Sequence, residues 1–373
     1  MEIFIKISVL YYIAIILFLA SLTIRFFYKV FLPLILLKFF NENKKAKKVI
    51  FYKPISVIIA AHNEENNLRR NLIKVLEQDY ADFEVILVDD GSIDNTREFI
   101  NELKQNYTNL RYISLQYNIG KKAALTKAIE LSKNEILVFT DADCYPASKY
   151  WLKYISQHFM DDKERIVLGF GDYKKEKGFL NCFIRLDTYY IAILYFHSAI
   201  IKQAFMGVGR NLAYTKSLWY KVNGFENHRH IISGDDDLFI KSASGMAEIS
   251  IELNPQAKTI SFPKTRWKDF INQKFRHVST SDFYSLRNKL LTSGDILSTW
   301  MFYFTLILLS FYFSLPKILI ILFCYYFIIS VFNLIFSKRL NCKLNIFCIV
   351  LFDIFAMFFY VSIYLLKKLK IRN

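Results

Sequence analysis

The sequence predicts an α/β domain, a mostly parallel sheet with flanking helices, carried between transmembrane helices at both ends of the chain. Three observations predict it. Short apolar runs alternate with helix-length stretches between residues 55 and 143. Long charge-free apolar runs occupy both ends, and the basic excess flanks those runs. The 373 residues hold 49 Lys+Arg against 33 Asp+Glu, a net charge of +16, with 54% hydrophobic residues and a mean hydropathy of +0.22. Disorder is excluded, because disordered chains are poor in apolar and aromatic residues. Residues 1–48 and 338–373 each carry net +6, while residues 49–300 carry only +3. A nucleic-acid binder concentrates its basic charge on the folded domain. The partner implied is therefore a membrane, and no nucleic acid is expected.

At the N-terminus, ISVLYYIAIILFLASLTI is uncharged between Lys6 and Arg25, close to the ~20 apolar residues that cross a bilayer. No small-residue cleavage site follows, only Arg25, Phe26, Phe27 and Tyr28, so a signal peptide is not indicated. The next run, VFLPLILLKFF, is too short to cross again and either extends this helix or lies in the interface. Toward the C-terminus, residues 296–316 and 318–337 lack charge, and residues 344–366 contain only Asp353. One N-terminal span and two or three C-terminal spans follow, with a hairpin at Pro316 and Lys317. Lys38, Lys44, Lys45, Lys47 and Lys48 after the first span place the middle region in the cytoplasm by the positive-inside rule. The expectation is a multi-pass protein of the cell inner (cytoplasmic) membrane. Lys338, Arg339 and Lys343 fall on the same side. If residues 344–366 cross, the tail KKLKIRN lands outside against the rule; a re-entrant or interfacial last segment would keep it inside, and both readings stand at this stage.

The chain thus divides into an anchor and basic linker (1–48), a cytoplasmic domain with interfacial helices (49–293) and a C-terminal transmembrane region (294–373). The cysteines Cys144, Cys182, Cys324, Cys342 and Cys348 are odd in number and have no CxxC spacing. Reduced thiols are expected, with neither a disulfide frame nor a zinc site.

Within the middle region, strands are expected at 55–61, 84–90, 111–115 and 135–143, separated by single helices. Continuous apolar strands of this kind form parallel βαβ units covered on both faces. Ligands gather at the carboxyl ends of such strands. Here those ends carry His62, Asn63, Glu64, Asp89, Asp90, Asp141 and Asp143. No GxGxxG or P-loop is present, so a bare dinucleotide or ATP site is not expected. Asp141 and Asp143 at a strand end suit a hard divalent cation that keeps positions open for phosphates; the plain alternative is a solvated loop. Lys121 and Lys122, opening a helix after Gly120, are candidates for phosphate contacts, with a solvated helix end as the alternative.

The series SVIIAAHNEE (56–65), VDDGSIDNT (88–96), GKKAAL (120–125), TDADC (140–144), GDDDL (234–238) and Q-x-x-R-H (273–277) resembles the family 2 glycosyltransferases with the Rossmann-like GT-A fold. The order and spacing agree across residues 54–290, and the flanking spans resemble those of membrane-anchored bacterial members. The resemblance implies transfer of a sugar from a nucleotide-sugar donor, UDP-linked by analogy, to a lipid-linked or glycan acceptor. It implies that Ala60, His62 and Glu64 line the base and ribose, that Asp89 or Asp90 holds the base, and that Lys121 and Asp141 contact the nucleotide. It further implies Mg²⁺ or Mn²⁺ on Asp141 and Asp143, neutralising the departing diphosphate. The general base falls on Asp235, with Asp236 as the alternative and Gly234 where the family has glutamate. Crowded carboxylates are expected to raise at least one pKa there.

Gln273 and Arg276 match the family's QxxRW, and His277 replaces its tryptophan, which puts acceptor stacking and processivity in doubt. FMGVGRNLAY (205–214) resembles the acceptor-side loop, with Gly207, Arg210 and Asn211 as acceptor or diphosphate contacts. Residues 177–200 and the stretch holding Trp267, Phe270 and Phe275 are expected as interfacial helices. Asp353, ionisable within an apolar segment, is a functional candidate by location. Two rival readings remain: a processive polysaccharide synthase coupled to export, and a non-catalytic membrane assembly subunit on the same fold.

Overall fold

The computed structural model describes residues 2–43, 53–231 and 233–371, so Lys44, Lys45, Lys47 and Lys48 lie outside the described residues. Two compact units emerge: residues 45–176 with 187–266, and residues 1–44 with 177–186 and 267–373.

The first unit is the α/β domain. Its strands are β1 (Ile55–Ala61), β2 (Phe83–Asp89), β3 (Leu110–Ser114), β4 (Ile136–Phe139), β5 (Cys144–Pro146), β6 (Arg165–Gly169), β7 (Gly171–Tyr173), β8 (Leu212–Thr215), β9 (Glu248–Glu252) and β10 (Thr259–Ser261). Seven form one sheet in the order β3-β2-β1-β4-β8-β6-β9, and only β8 runs against its neighbours. β1 and β2 are buried almost throughout, as continuous apolar runs in a two-sided sheet must be. Leu68, Leu72 and Val75 from the helix Glu65–Leu76 pack with Val57, Ile59, Val85 and Leu87 in the core. The chain first moves outward from β1 to β2 and β3, then returns to β4 on the other side of β1. Open α/β sheets bind ligands at the strand ends beside such a reversal. A second sheet, β5-β10-β7, forms beside it.

The second unit is helical. Among the described residues, four helices are long and apolar enough to cross a membrane: Val9–Phe40, Leu286–Leu309, Leu315–Arg339 and Ile346–Leu369. The first is continuous through VFLPLILLKFF but passes through a π-helical turn at Phe27–Phe31. Pro33 lies just beyond and has no N–H for the carbonyl one turn back, which explains the irregularity. The predicted hairpin shifts by a few residues. The connection falls at 310–314, and Pro316 occupies the first turn of Leu315–Arg339, where its missing N–H costs nothing.

Two sequence expectations need correction here. Cys182 and Cys348 form a disulfide with Cα atoms 6.3 Å apart, although reduced thiols were expected. Their separation of 166 residues leaves no spacing signal in the sequence. The aromatic residues expected at an interface turn partly inward: Phe183 is fully buried and packs on Trp267, Phe270, Phe352 and Phe359.

Arg25, read from sequence as a flanking charge, is also buried. Its guanidinium bonds Asp353, Thr299 and the Tyr325 hydroxyl, and Tyr326 donates to Asp353 as well. One turn on, Lys29 pairs with Asp295 at 2.7 Å. Asp353 is thereby accounted for, because a charge among apolar helices persists when it is paired. Replacing Arg25 with Met leaves the Asp353 carboxylate inside the bundle without a cation, bonded only by Tyr326. A loss of about 3–5 kcal/mol is expected, as for breaking other buried pairs. Thermal unfolding in detergent should show R25M well below wild type and R25M/D353L substantially restored.

Candidate active site

The cleft lies where β1, β2 and β4 end. Ala60, half-buried, stands one residue before the end of β1 at Ala61, and His62, Asn63 and Glu64 follow. His62 Nδ1 lies 2.8 Å from the Asp90 carbonyl. Asn63 holds φ +56°, a conformation asparagine tolerates better than most residues. Its N–H donates to Ser92 Oγ at 2.8 Å and its Oδ1 accepts from the Ile93 N–H at 2.9 Å. The loops after β1 and β2 are thereby latched together.

Asp89 and Asp90 both turn inward. Asp89 is fully buried and accepts from the Ser92 N–H at 2.9 Å and the Tyr112 hydroxyl at 2.7 Å. Asp90 accepts from the N–H groups of Ile119 (2.7 Å) and Gly120 (3.0 Å). Gly91, at φ +67°, lies so close to the Tyr117–Asn118 backbone that a Cβ would fall 2.4 Å from it. Asp89 therefore shapes the pocket from within, while Asp90 fixes the approach to Lys121.

Lys121 opens the helix Lys121–Leu131 and joins the two ends of the expected chemistry. Its Nζ lies 3.0 Å from Asp141 Oδ1 and 2.8 Å from Asp235 Oδ2. Burial would raise the Asp235 carboxyl, but the Lys121 ammonium holds it below the ordinary carboxylate range. Asp236 behaves oppositely. Burial and the flanking Asp235 and Asp237 push it up to about 8, against the pull of Lys121. The pKa expected to rise among these carboxylates is thus that of Asp236. Geometry separates them too, since Asp236 accepts from the Gly209 N–H (3.0 Å) and the Asp237 N–H (2.8 Å) and caps the helix Asp237–Ala243. Asp235 is the carboxylate presented to Lys121. Gly234 precedes it at φ +93°, and a Cβ there would lie 2.6 Å from the Leu238 side chain. A glutamate would be strained at this position.

Asp141, Asp143 and Cys144 offer donor atoms all within 4.8 Å of one another. Burial, then the neighbouring Asp141, raises the Asp143 carboxyl. The same burial and both aspartates push the Cys144 thiol well up, so it stays protonated; it hydrogen-bonds Asp143 Oδ1 at 3.1 Å and Ser261 Oγ at 2.8 Å. A hard divalent cation fits this donor set through the two carboxylates, whose mutual repulsion it would relieve; a protonated thiol is a poor ligand. Glu64 lies within the same field: burial, then Asp143 and Asp141, raises it against the Asn67 amide that bonds it at 2.6 Å.

Three expected contacts are redirected. Asn211 is 1% exposed and fully committed. It donates to the carbonyls of Phe170 and Ala257 and accepts from Trp151 Nε1, all within 3.0 Å, so it ties elements together and is not free for an acceptor. Gly207 is a packing glycine, since a Cβ would meet Ile240 Cδ1 at 2.6 Å. Lys122 is buried rather than aimed at a phosphate. Its ammonium donates to the carbonyls of His228 (2.7 Å) and Ile231 (2.8 Å), holding the loop that leads into Asp235.

Arg210 sits over the Tyr173 ring, 4.6 Å from its centroid, and donates to the Gly171 carbonyl at 2.8 Å. Gln273, Arg276 and His277 lie on the helix Trp267–Ser279 of the helical unit, with Arg276 and His277 exposed. Sequence reasoning missed Ser261 and Tyr173, which the small sheet brings in from distant segments; neither lies in a recognisable motif.

Residues 56–203 match the family model described as glycosyl transferase family 2. Residues 56–203 form a family 2 glycosyltransferase segment. Poly-beta-1,6-N-acetyl-D-glucosamine synthase of Staphylococcus epidermidis is 33% identical over 112 residues, covering 28% of this chain and 27% of the relative. A second relative, from Escherichia coli, is the UDP-Glc:alpha-D-GlcNAc-diphosphoundecaprenol beta-1,3-glucosyltransferase WfaP. It is 32% identical over 131 residues, 34% of this chain and 48% of the relative. The matches thus span about a quarter to a half of these relatives. Among solved structures, the mannosyltransferase PcManGT from Pyrobaculum calidifontis, in complex with GDP-Man and Mn²⁺, aligns with a TM-score of 0.55 at 16% identity. The alignment covers 90% of this chain and 98% of that one. The fold of the glycosyltransferase domain is GT-A.

The Lys122 clamp makes a direct prediction. Arg229 is exposed within the clamped loop. Limited trypsinolysis of K122M followed by mass spectrometry should show cleavage after Arg229 at least several-fold faster than in wild type, with K122R closer to wild type.

Proposed function

We propose that the protein is an inverting, metal-dependent glycosyltransferase. It moves a sugar from a nucleotide-sugar donor, UDP-linked, to a lipid-linked or glycan acceptor, with its α/β domain on the cytoplasmic face of the inner membrane. The observation that carries this reading is the Lys121 ammonium between Asp141 and Asp235. It brings the pair suited to a diphosphate-bound cation and the carboxylate suited to deprotonation into one cleft. The two relatives named above act in glycan assembly by their names, which supports the same class.

In this mechanism Ala60, His62 and Glu64 frame the base and ribose, with Asp89 or Asp90 behind the base, and Asp141 and Asp143 would hold Mg²⁺ or Mn²⁺. The ion, when bound, neutralises charge that develops on the diphosphate. Lys121 turns toward the phosphates as the donor enters. The acceptor hydroxyl attacks the anomeric carbon from the face opposite the diphosphate; its oxygen bonds to carbon as the carbon–oxygen bond to phosphate breaks. Asp235 takes the hydroxyl proton, and its depressed pKa keeps it ionised and ready near neutral pH. Gln273, Arg276 and His277 serve the acceptor side. A processive synthase is the second reading, favoured by the name of the Staphylococcus epidermidis relative.

Full-length protein in detergent with Mn²⁺ should transfer or hydrolyse sugar from a UDP- or GDP-sugar. D235N should lower turnover at least ~100-fold, in line with loss of a general base, while still binding nucleotide. D143A should lose Mn²⁺-dependent nucleotide binding, measured by titration calorimetry. Unchanged activity in both variants would overturn the site. Mass spectrometry of the product separates single addition from a polymer.

A further inference from the structure

The helix Ile346–Ile371 is apolar enough to cross a membrane, yet its contacts place both of its ends on one side. Three other helices set the scale. Tyr11 stacks beside Tyr312 and Phe313 at one end of the bundle, with ring centroids 4.9 and 6.2 Å apart. Phe18 faces Phe302 further along. Toward the opposite end, the Tyr28 hydroxyl reaches the Leu291 carbonyl, and Arg339 lies over the Phe40 ring. Val9–Phe40, Leu286–Leu309 and Leu315–Arg339 therefore run alongside one another, alternating in direction. At a rise of about 1.5 Å per residue, each is long enough to cover ~30 Å of hydrocarbon.

Arg339 marks the end at which the chain leaves the third of these helices. If Ile346–Ile371 crossed next, Lys367 would emerge beside Tyr11 and Tyr312. It does not. Lys367 Nζ pairs with Asp282 at 2.8 Å and donates to the Val278 carbonyl at 2.9 Å, just before Leu286 begins its helix. From Phe355 to Lys367 the helix runs beside the charged helix Trp267–Ser279 with a nearly constant offset. Trp267 packs on Phe355, Phe270 stacks on Phe359, and Val278 meets Lys367. That neighbour carries Lys268, Asp269, Lys274 and Arg276, so it cannot lie across hydrocarbon. The start of the apolar helix is held nearby, through Cys182–Cys348 and the Arg185 bond to the Lys343 carbonyl.

We propose that Ile346–Ile371 is a monotopic element. It enters only the leaflet on the side from which Trp267–Ser279 leads into the bundle, and its exposed Phe347, Leu351, Phe358, Leu365 and Leu369 face the acyl chains of that leaflet. The described residues then cross the membrane three times, through Val9–Phe40, Leu286–Leu309 and Leu315–Arg339. The chain passes directly from residue 266 into that helix, so the C-terminus emerges on the side of the membrane at which residue 266 leaves off. The tail KKLKIRN then lies with Lys338, Arg339 and Lys343 on one face, as the positive-inside rule requires. This does not depend on the catalytic reading.

The test uses the full chain with a C-terminal epitope, in sealed vesicles of both orientations. Protease should remove the epitope in the same vesicle orientation that exposes Arg229 of the α/β domain. An epitope inserted after Tyr312 should be digested only in the other orientation. Digestion of the C-terminal epitope together with the Tyr312 epitope would overturn the proposal. As a second measurement, alkaline phosphatase fused at the C-terminus and alkaline phosphatase fused to chains ending at Arg266 should agree, both active or both inactive in cells; opposite activities would also overturn it.

Discussion

One ammonium group between two carboxylates organises the glycosyltransferase domain. Lys121 can meet both Asp141 and Asp235 only because the sheet reverses at β1 and β4, and because the loop before Asp237 is held in place. Each supporting contact serves that meeting. Asp90 fixes Gly120 just ahead of Lys121, Lys122 restrains the loop before Asp235, and Asp236 caps the next helix and binds Gly209. Without the cation, Asp235 and Asp236 would both face burial beside Asp237, and two adjacent carboxylates could not both stay ionised cheaply. The cation settles which one does. Asp235 is held down and Asp236 rises, so adjacent residues of one type take different roles through their partners.

Much of this was legible in the sequence. The four leading strands stand within a few residues of their apolar runs, because a two-sided parallel strand has no reason to interrupt those runs. The acidic strand ends were legible for the converse reason, as polar residues closing buried strands have few bland explanations. What could not be read was the direction in which a polar side chain turns. Lys121 and Lys122 are adjacent in sequence, yet a helix separates them by about 100°, so one reaches the cleft and the other a buried loop. Asn211 sits beside Arg210 in a polar motif but is drawn inward by three partners from remote segments. The disulfide and the small sheet β5-β10-β7 join distant residues too, and no local pattern announces such pairings.

The helical unit follows the same rule in a drier medium. Arg25 was read as a flanking charge because sequence hydropathy treats any arginine as a boundary. In the fold it is an interior residue, with its charge met by Asp353 and its donors by Thr299 and Tyr325. The two apparent anomalies, an acid in an apolar segment and a base at the end of one, are each other's explanation. Lys29 and Asp295 repeat the arrangement one turn away.

Charge therefore separates the levels of the molecule. Of the net +16, little resides in the middle of the chain, where basic and acidic residues nearly balance. That balance hides a cleft rich in aspartate, because lysines elsewhere on the domain cancel it in any sum. At the chain ends the charge stays unbalanced, since there it flanks apolar helices and has few acidic residues beside it. Length and hydropathy alone would turn the last apolar helix into a crossing and leave four basic residues, Lys367, Lys368, Lys370 and Arg372, on the wrong face. A lysine that bonds Asp282 at the foot of a neighbouring helix constrains topology more tightly than hydropathy does. Hydropathy reports what a segment tolerates, whereas a specific ion pair fixes where its end must be.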